Sequence, residues 1–190
     1  MGHYFSDALL FLSDTLIGLY LLAVLLRFLF PLLRVDFRNP LVQMVVTVTD
    51  PPLRLLRRFV PGLFGIDVAS LLLILLLGLL KLYLRGILTG IVPSLPAALV
   101  LTLAEVLNTA IWIFLAAVFL RAVLSWFSPS SYHPAIRLLQ DFTEPLMAPA
   151  RRLLPAMGGL DLSPIVVLIA LSMAQKLLVN PLYDLARSLL

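Results

Sequence analysis

Four long runs of apolar residues constrain the fold of this chain more than any other feature. They cover residues 9–33, 68–84, 97–120 and 164–182, and the last run ends at Asn180-Pro181. A helix of about 20 residues crosses the hydrocarbon core of a bilayer, which is about 30 Å thick. We therefore expect an all-α membrane protein with four transmembrane helices. Residues 1–6 contain no Lys or Arg, so the first run is expected to be a retained helix rather than a cleaved leader.

The composition supports a chain that faces lipid. Apolar residues make up 62% of it and charged residues 13%, whereas soluble domains have about 45–50% and about 25%. The net charge of +4 lies in connections beside the apolar runs, where basic side chains contact anionic headgroups. We expect membrane lipids, and no nucleic acid, as partners. The chain has no cysteine, which excludes disulfides, thiolate metal sites and a cysteine nucleophile.

Arginine is distributed unevenly among the connections. Five arginines lie between the first two runs and three between the last two: Arg34, Arg38, Arg54, Arg57, Arg58, Arg137, Arg151 and Arg152. The middle connection, residues 85–96, contains Arg85 alone. Short loops rich in Lys and Arg stay in the cytoplasm. Both termini and the middle connection are therefore predicted to lie outside.

The two arginine-rich connections are copies of each other. TDPPLRLLRRFVPGLFGID, residues 49–67, aligns without gaps to TEPLMAPARRLLPAMGGLD, residues 143–161, at a constant offset of 94 residues. The offset pairs identical residues at Thr49, Pro51, Arg57, Arg58, Pro61, Gly65 and Asp67 with Thr143, Pro145, Arg151, Arg152, Pro155, Gly159 and Asp161, and also Arg27 with Arg121 and Pro40 with Pro134. The chain is therefore predicted to contain two domains, 1–96 and 97–190. Each is a helical hairpin, and the two are parallel copies.

Each connection also has an amphipathic pattern. Apolar and polar residues fall on opposite helical faces in residues 40–48 and 134–142, and again after the TDP or TEP sequence. We expect two short interfacial helices with a turn between them, the second capped by Thr49 or Thr143. Leu53 is among the apolar residues expected to contact acyl chains. A second turn at Pro61 or Pro155 leads to an acid, Asp67 or Asp161, that caps the next span. That completes the repeated motif.

These residues resemble the YggT family, also called YlmG in some lineages, of bacterial inner-membrane proteins with plastid relatives. The matching residues are Arg27, Asn39, Pro40, Thr49, Asp50, Pro51, Arg57, Arg58, Pro61, Gly65 and Asp67. The second copy departs by having His133 in place of Asn39 and Glu144 in place of Asp50. The resemblance implies a non-enzymatic protein of the bacterial inner membrane, in which the termini that the arginine distribution places outside would be periplasmic. It also implies links to osmotic or ion homeostasis, to division-related membrane organisation or, in plastids, to cytochrome complex assembly.

The sequence contains no pattern of a known catalytic or metal site. Its two histidines, His3 and His133, belong to opposite sides of the predicted topology. There is no glycine-rich phosphate loop, Walker sequence or G-x-S-x-G elbow. We expect no enzyme activity, no metal and no cofactor.

Six basic residues beside the spans are candidates for binding. The paired ones are Arg57, Arg58, Arg151 and Arg152. They either set topology and contact headgroups or form a specific site for an anionic lipid or a protein, since guanidinium binds phosphate bidentately. Arg27 and Arg121 lie about one turn inside the membrane edge, where they snorkel to the interface or pair with Asp67 or Asp161.

Polar residues within the spans form the second candidate site. They are Asp14, Lys81, Glu105, Asn108 and Lys176. By sequence they fall at similar depth, and charges there are costly unless they are paired or hydrated. The set forms either a structural ion-pair cluster or a polar vestibule for ions or small solutes. We predict that Glu105 pairs with Lys176.

Two functional classes follow. The first is a membrane scaffold or assembly factor that acts through its cytoplasmic amphipathic elements, with lipid or membrane-protein partners. The second is a small transporter or channel-like protein that uses the polar residues. Four helices are few to enclose a pore, so this alternative would require a homo-oligomer.

Overall fold

The computed structural model describes residues 2–60, 62, 65–127, 133–153 and 161–189, which form helices and no strand. The helices are α1 (Gly2–Leu32), α2 (Pro40–Phe59), α3 (Val68–Thr89), α4 (Leu95–Phe127), α5 (Pro134–Leu153), α6 (Ser163–Ala174), a π-helical turn (Gln175–Val179) and α7 (Asn180–Ser188). Four segments are long and apolar enough to cross a bilayer: Tyr4–Leu32, Val68–Thr89, Leu95–Ser125 and Ser163–Ser188. The predicted all-α fold with four spans is confirmed.

The fourth span continues past the residues that were expected to end it. Asn180 and Pro181 begin α7 directly after the π-helical turn Gln175–Val179. Proline fits the first turn of a helix because no backbone donor is required there. The π-helical turn directly before Asn180 replaces the regular i to i−4 backbone hydrogen bonds by i to i−5 ones. The predicted end at Asn180-Pro181 is therefore wrong.

The turns predicted at Pro51 and Pro145 are also wrong. α2 runs without interruption through Pro51 and Pro52, and α5 through Pro145 and Pro149. The hydroxyl of Thr49 donates to the carbonyl of Val45 at 2.7 Å instead of capping a new helix. Thr143 does the same with Leu139. Because Pro52 has no backbone N–H, the carbonyl of Val48, four residues earlier, lacks its usual helical donor. That carbonyl accepts from the Tyr20 hydroxyl at 3.4 Å instead.

The two copies build the same core. In the first, Val24 of α1, Leu53 of α2 and Leu73 of α3 belong to one buried cluster. In the second, Val118 of α4, Met147 of α5 and Val167 of α6 form the corresponding cluster. Each residue of one set lies 94 positions from its counterpart in the other, and so do both ends of α2 and α5. Leu53, expected among acyl chains, is fully buried against α1 and α3.

A third cluster joins the two copies. Phe142 of α5 packs edge-on against Phe30 of α1, with ring centroids 6.3 Å apart, and stacks on Phe114 of α4 at 5.0 Å. Asn39, at the start of α2, donates its amide to the carbonyl of Pro134 at 2.7 Å. These contacts bring α2 and α5 together at one end of the bundle, which we call the α2–α5 end.

A contact between the middle connection and the C-terminal residues defines the opposite end of the bundle. There the Ser94 hydroxyl, before α4, donates to the carbonyl of Leu189 at 3.0 Å. The chain after α3 turns at Gly90, whose φ of 76° lies in the left-handed region. The C-terminal residues and the loop between the two copies therefore lie together.

Candidate functional site

The first arginine of each pair links the amphipathic helix to the following span. In the first copy, Arg57 near the end of α2 lies 2.5 Å from Asp67 and 4.0 Å from Asp50. Asp67 in turn caps α3, accepting from the backbone N–H of Ser70 at 3.3 Å and from its hydroxyl at 2.7 Å. The carboxylate of Asp67 thus binds both the guanidinium of Arg57 and the first turn of α3.

The second copy repeats this arrangement. Arg151 lies 2.9 Å from Glu144 and 3.2 Å from Asp161. Asp161 accepts from the backbone N–H of Ser163 at 2.9 Å, at the start of α6. The predicted capping is observed for Asp67, which is the N-cap of α3. The N-cap of α6 is Leu162, so Asp161 bonds to Ser163 from one residue before the cap. Residues 61, 63, 64 and 154–160, which include Pro61 and Pro155, lie outside the described residues.

The acids in these networks are held in their charged form. Partial burial acts to raise the pKa of Asp67, but hydrogen bonds from Arg57 and Ser70 outweigh it, so the pKa lies below its ordinary value. Burial likewise opposes ionisation of Asp161, and bonds from Ser163 and Arg151 lower its pKa overall. For Glu144, burial is outweighed by the guanidinium of Arg121 and then that of Arg151, and its pKa is also lowered.

The second arginine of each pair is in a different position. Arg58 and Arg152 are exposed, and neither forms an ion pair with any residue that the structure describes. They are one position along the helix from Arg57 and Arg151, a rotation of about 100° around its axis. Of the four paired arginines, Arg57 and Arg151 thus join an amphipathic helix to the next span, whereas Arg58 and Arg152 have no ion pair within the described residues.

The arginines near the membrane edge differ between the copies. Arg121 of α4 donates to the Thr143 hydroxyl at 2.7 Å and pairs with Glu144 at 2.8 Å. Its counterpart Arg27 lies over the ring of Phe37 at 5.3 Å, and its buried Nε has no hydrogen-bond partner within the described part of the chain. Neither arginine pairs with Asp67 or Asp161, the acids considered from the sequence.

The cavities near the α2–α5 end include a polar and an apolar one. A polar one of about 230 Å³ is lined by Arg121, Ser125, Gln140, Arg151 and Asp161 among others. Its arginines are already paired with acids, so it has no uncompensated positive charge. An apolar one of about 290 Å³ lies between the copies and is lined by Leu26, Phe30, Met44, Ile113, Leu138 and Phe142 among others.

The polar residues within the spans form pairs rather than one cluster. Lys81 of α3 lies 3.1 Å from Glu105 of α4, so the predicted pairing of Glu105 with Lys176 is wrong. Lys176 is exposed beside Ser172 on the outer surface of the fourth span. Asn108 accepts a hydrogen bond from Gln175 at 2.8 Å.

Asp14 lies apart from these pairs and is half-buried in α1. Within the described ranges it has no ion-pair partner. Gln175 was missed as a site residue, although the offset of 94 that equates it with Lys81 is visible in the sequence. His133 accepts from the backbone N–H of Ala135, as Asn39 does from that of Leu41, so it caps α5 in place of an asparagine.

No group of three potential metal ligands occurs among the described His, Asp and Glu residues. A family model described as CCB3/YggT matches residues 6–88 and 100–182. The chain belongs to this family. The two matched segments of this YggT-family protein are again 94 residues apart, and each contains one arginine–acid network.

Relatives in three bacteria are similar over most of their length. An uncharacterised protein of Pseudomonas aeruginosa is 42% identical over 93% of this chain and 91% of its own. An uncharacterised protein of Vibrio alginolyticus is 36% identical over 90% and 94%. The uncharacterised protein YggT of Escherichia coli K12 is 37% identical over 87% and 86%. No solved structure matches the chain.

Proposed function

We propose that this YggT-family protein is a non-enzymatic scaffold or assembly factor of the bacterial inner membrane, linked to osmotic or ion homeostasis or to division-related membrane organisation. Its working surface is the α2–α5 end, which faces the cytoplasm, while both termini face the periplasm. The arginine-rich connections support this orientation. The observation that carries the proposal is the division of each arginine pair into one fixed and one free guanidinium.

The α2–α5 end has the properties that a docking surface needs. Arg57 and Arg151 fix each amphipathic helix to the next span, and the amide of Asn39 joins the two copies. A fixed surface loses little conformational entropy when it binds. Arg58 and Arg152 are then presented without internal partners. Exposed apolar side chains, Phe59 and Leu153, lie beside them and suit a membrane surface or a membrane-protein partner.

The lipid contribution can be measured on the full-length protein. We would reconstitute it in phosphatidylcholine vesicles with a minor fraction of phosphatidylglycerol and measure the association of spin-labelled forms of both lipids. Each juxtamembrane arginine contributes about 1 kcal/mol against an anionic leaflet. Replacing Arg58→Gln and Arg152→Gln together should lower the preference for phosphatidylglycerol by about tenfold or more, and added salt should lower it in the unmodified protein.

Arg54→Gln is the matched control. Arg54 is exposed on the same helix but already neutralised by Asp50 at 3.1 Å, so its loss should change the preference little. If the double variant keeps the full preference for phosphatidylglycerol, these arginines do not bind lipid. Their remaining role would then be topology or a protein partner.

The alternative, a small transporter or channel-like protein, is favoured by one observation. Lys81 and Glu105 place an ion pair within the spans, where charges often mark ion pathways. A flux assay separates the two functions. A scaffold predicts no movement of ions or small solutes above that of empty vesicles, whereas a transporter or channel predicts flux that depends on Glu105.

A further inference from the structure

The guanidinium of Arg27 in α1 has no acceptor within the described part of the chain. No ion pair or hydrogen bond joins it to a described residue, and its Nε is buried without a partner. The residues outside the described ranges include no Asp or Glu, so they offer no side-chain carboxylate either. A guanidinium that is partly withdrawn from water without an acceptor is unfavourable. An acceptor from outside the chain would remove this cost.

The equivalent arginine of the second copy has two side-chain acceptors. Arg121 donates one terminal amino group to the Thr143 hydroxyl at 2.7 Å and the other to Glu144 at 2.8 Å. Thr49, the counterpart of Thr143, is fully buried as well. Its hydroxyl contacts only carbonyls of its own helix. The first copy therefore keeps the threonine but lacks the contact between it and the arginine.

Two differences in sequence explain why the first copy supplies no acid to its arginine. The counterpart of Glu144 is Asp50, whose side chain is one methylene shorter. The first copy also contains Arg54, whose counterpart in the second copy is Ala148. Arg54 binds Asp50 at 3.1 Å. The acid in the first copy is therefore both shorter and occupied by an arginine of its own helix.

The first network also has an excess of positive charge. Arg57, Asp50 and Asp67 are close enough to Arg27 for their charges to act on it, and Arg54 is bound to Asp50. Three guanidinium groups against two carboxylates leave a net charge of +1. In the second copy two arginines are balanced by two acids: Arg121, Arg151, Glu144 and Asp161. A bound anion would balance the first network in the same way.

The unpaired guanidinium is oriented by its surroundings and can be reached from outside. The Cζ of Arg27 lies 5.3 Å from the centroid of the Phe37 ring, which covers one face of the guanidinium. Nε is the buried nitrogen of this side chain, so the two terminal amino groups are accessible. Such a pair of donors matches two oxygens of one phosphate. Arg27 precedes Leu32, the last residue of α1, by about 7.5 Å along the helix axis, a distance that a long side chain can span to reach the interface.

We propose that Arg27 is an anion site that binds a phosphate group, in place of the carboxylate that Glu144 provides to Arg121. The phosphate supplies the missing negative charge and an acceptor for each terminal amino group. It belongs either to a phospholipid headgroup or to a free phosphate ion. The second copy has no such site, because Arg121 is already neutralised. The proposal is independent of the role of Arg58 and Arg152, since it concerns a different arginine on a different helix.

Ligand-dependent melting of the full-length protein in a neutral detergent measures this binding. The parent protein would carry Arg58→Gln and Arg152→Gln, so that those arginines do not contribute. Short-chain phosphatidylglycerol or inorganic phosphate is added at constant ionic strength, and the apparent Kd follows from the rise in melting temperature. Arg27→Gln should weaken binding by about tenfold or more, whereas Arg121→Gln should leave it unchanged. Tighter binding of the lipid assigns a headgroup, and equal or tighter binding of phosphate assigns the free ion.

Asp50→Glu tests the reason for the site without removing any charge. The longer side chain should reach Arg27 as Glu144 reaches Arg121, compete with the phosphate and weaken its binding by about fivefold or more. Asp184→Glu, the same change in an exposed ion pair of α7, is the control and should have no effect. Unchanged binding in Arg27→Gln or in Asp50→Glu would overturn the proposal. Equal weakening in Arg121→Gln would overturn it too, as would a parent protein that neither ligand stabilises.

Discussion

The two ends of this molecule use the repeat in different ways. At the α2–α5 end both copies build one arginine–acid network from the same positions, with Arg57 and Asp67 in one and Arg151 and Asp161 in the other. In the opposite half, equivalent positions carry different chemistry, a charged set around Lys81 and a neutral pair of Asn108 and Gln175. The first network attaches helix to helix and is needed twice. The second differs between the copies, since Lys81 pairs with a carboxylate of α4 whereas its counterpart Gln175 donates to the amide oxygen of Asn108.

The largest effect should come from isolating Lys81. Glu105→Gln removes the carboxylate that pairs with Lys81 and leaves an uncompensated ammonium in the spans, for which the loss of stability is about 3–5 kcal/mol. Lys81→Gln leaves the carboxylate alone and should also destabilise, whereas the double variant should cost less than the sum of the two, because both remaining side chains are neutral. The free energy of unfolding in bicelles, measured for both single variants and the double variant, gives the coupling. Strict additivity would mean that Lys81 and Glu105 do not stabilise each other.

Breaking the networks at the α2–α5 end should have a moderate and equal effect in the two copies. Arg57→Ala removes a hydrogen-bonded ion pair with Asp67 and a longer ion pair with Asp50. Arg151→Ala removes hydrogen-bonded ion pairs with Glu144 and Asp161. Because both sites are partly exposed to solvent, we expect a loss of about 1–2 kcal/mol for each. The same unfolding assay applies, with Arg58→Ala and Arg152→Ala as controls that stay within about 0.5 kcal/mol. Unequal losses would show that only one of the two networks stabilises the fold.

Acid should weaken the α2–α5 end. The folded protein lowers the pKa of Asp67, Glu144 and Asp161 below their ordinary values of 3.8, 4.5 and 3.8. Such groups contribute stability that is present above the ordinary pKa and is lost as pH falls through the lower folded value. The melting temperature should therefore be constant near neutral pH and fall below about pH 4. Arg57→Gln with Arg151→Gln should flatten that fall, and an unchanged acid transition would assign it to other carboxylates.

The smallest effect is expected at Lys176, where the sequence suggested an important ion pair. The residue is exposed on the outside of the fourth span and pairs with no described acid. Lys176→Gln should change the free energy of unfolding by no more than about 0.5 kcal/mol. A loss comparable to that of Glu105→Gln would restore Lys176 as a partner of Glu105.

The contrast between Lys176 and Lys81 shows how far the sequence could predict this structure. Hydropathy gave the four spans because length and composition alone decide whether a helix can cross a bilayer. The position of Lys81, Glu105 and Lys176 along their spans predicts a similar depth in the bilayer for all three. Depth does not give the rotation of each helix about its own axis, which is decided at contacts such as the one between Gly78 and Thr102. The partner of Glu105 was therefore beyond the reach of a depth argument.

The prolines of α2 and α5 show a second limit of local sequence. Pro51 and Pro145 predict turns, because proline lacks a backbone donor and disrupts the interior of a helix. In α2 a tertiary contact, the Tyr20 hydroxyl on the carbonyl of Val48, satisfies an acceptor that Pro52 leaves unpaired. A contact between residues 28 positions apart is not visible in local sequence. The offset of 94, in contrast, was visible and correctly paired the positions that form the two cores and the two networks.

The π-helical turn at Gln175–Val179 acts on the repeat as a phase shift. One extra residue in a single turn rotates everything beyond it by about 100° around the helix axis. The alignment of α3 with the fourth span still pairs residues after Val179, but the paired side chains no longer lie on the same face of their helices. Thr89 donates to the carbonyl of Arg85 within its own helix, whereas its counterpart Tyr183 lies near Glu105 of α4. A single π-helical turn thus lets two copies of one sequence present different surfaces to the same neighbour.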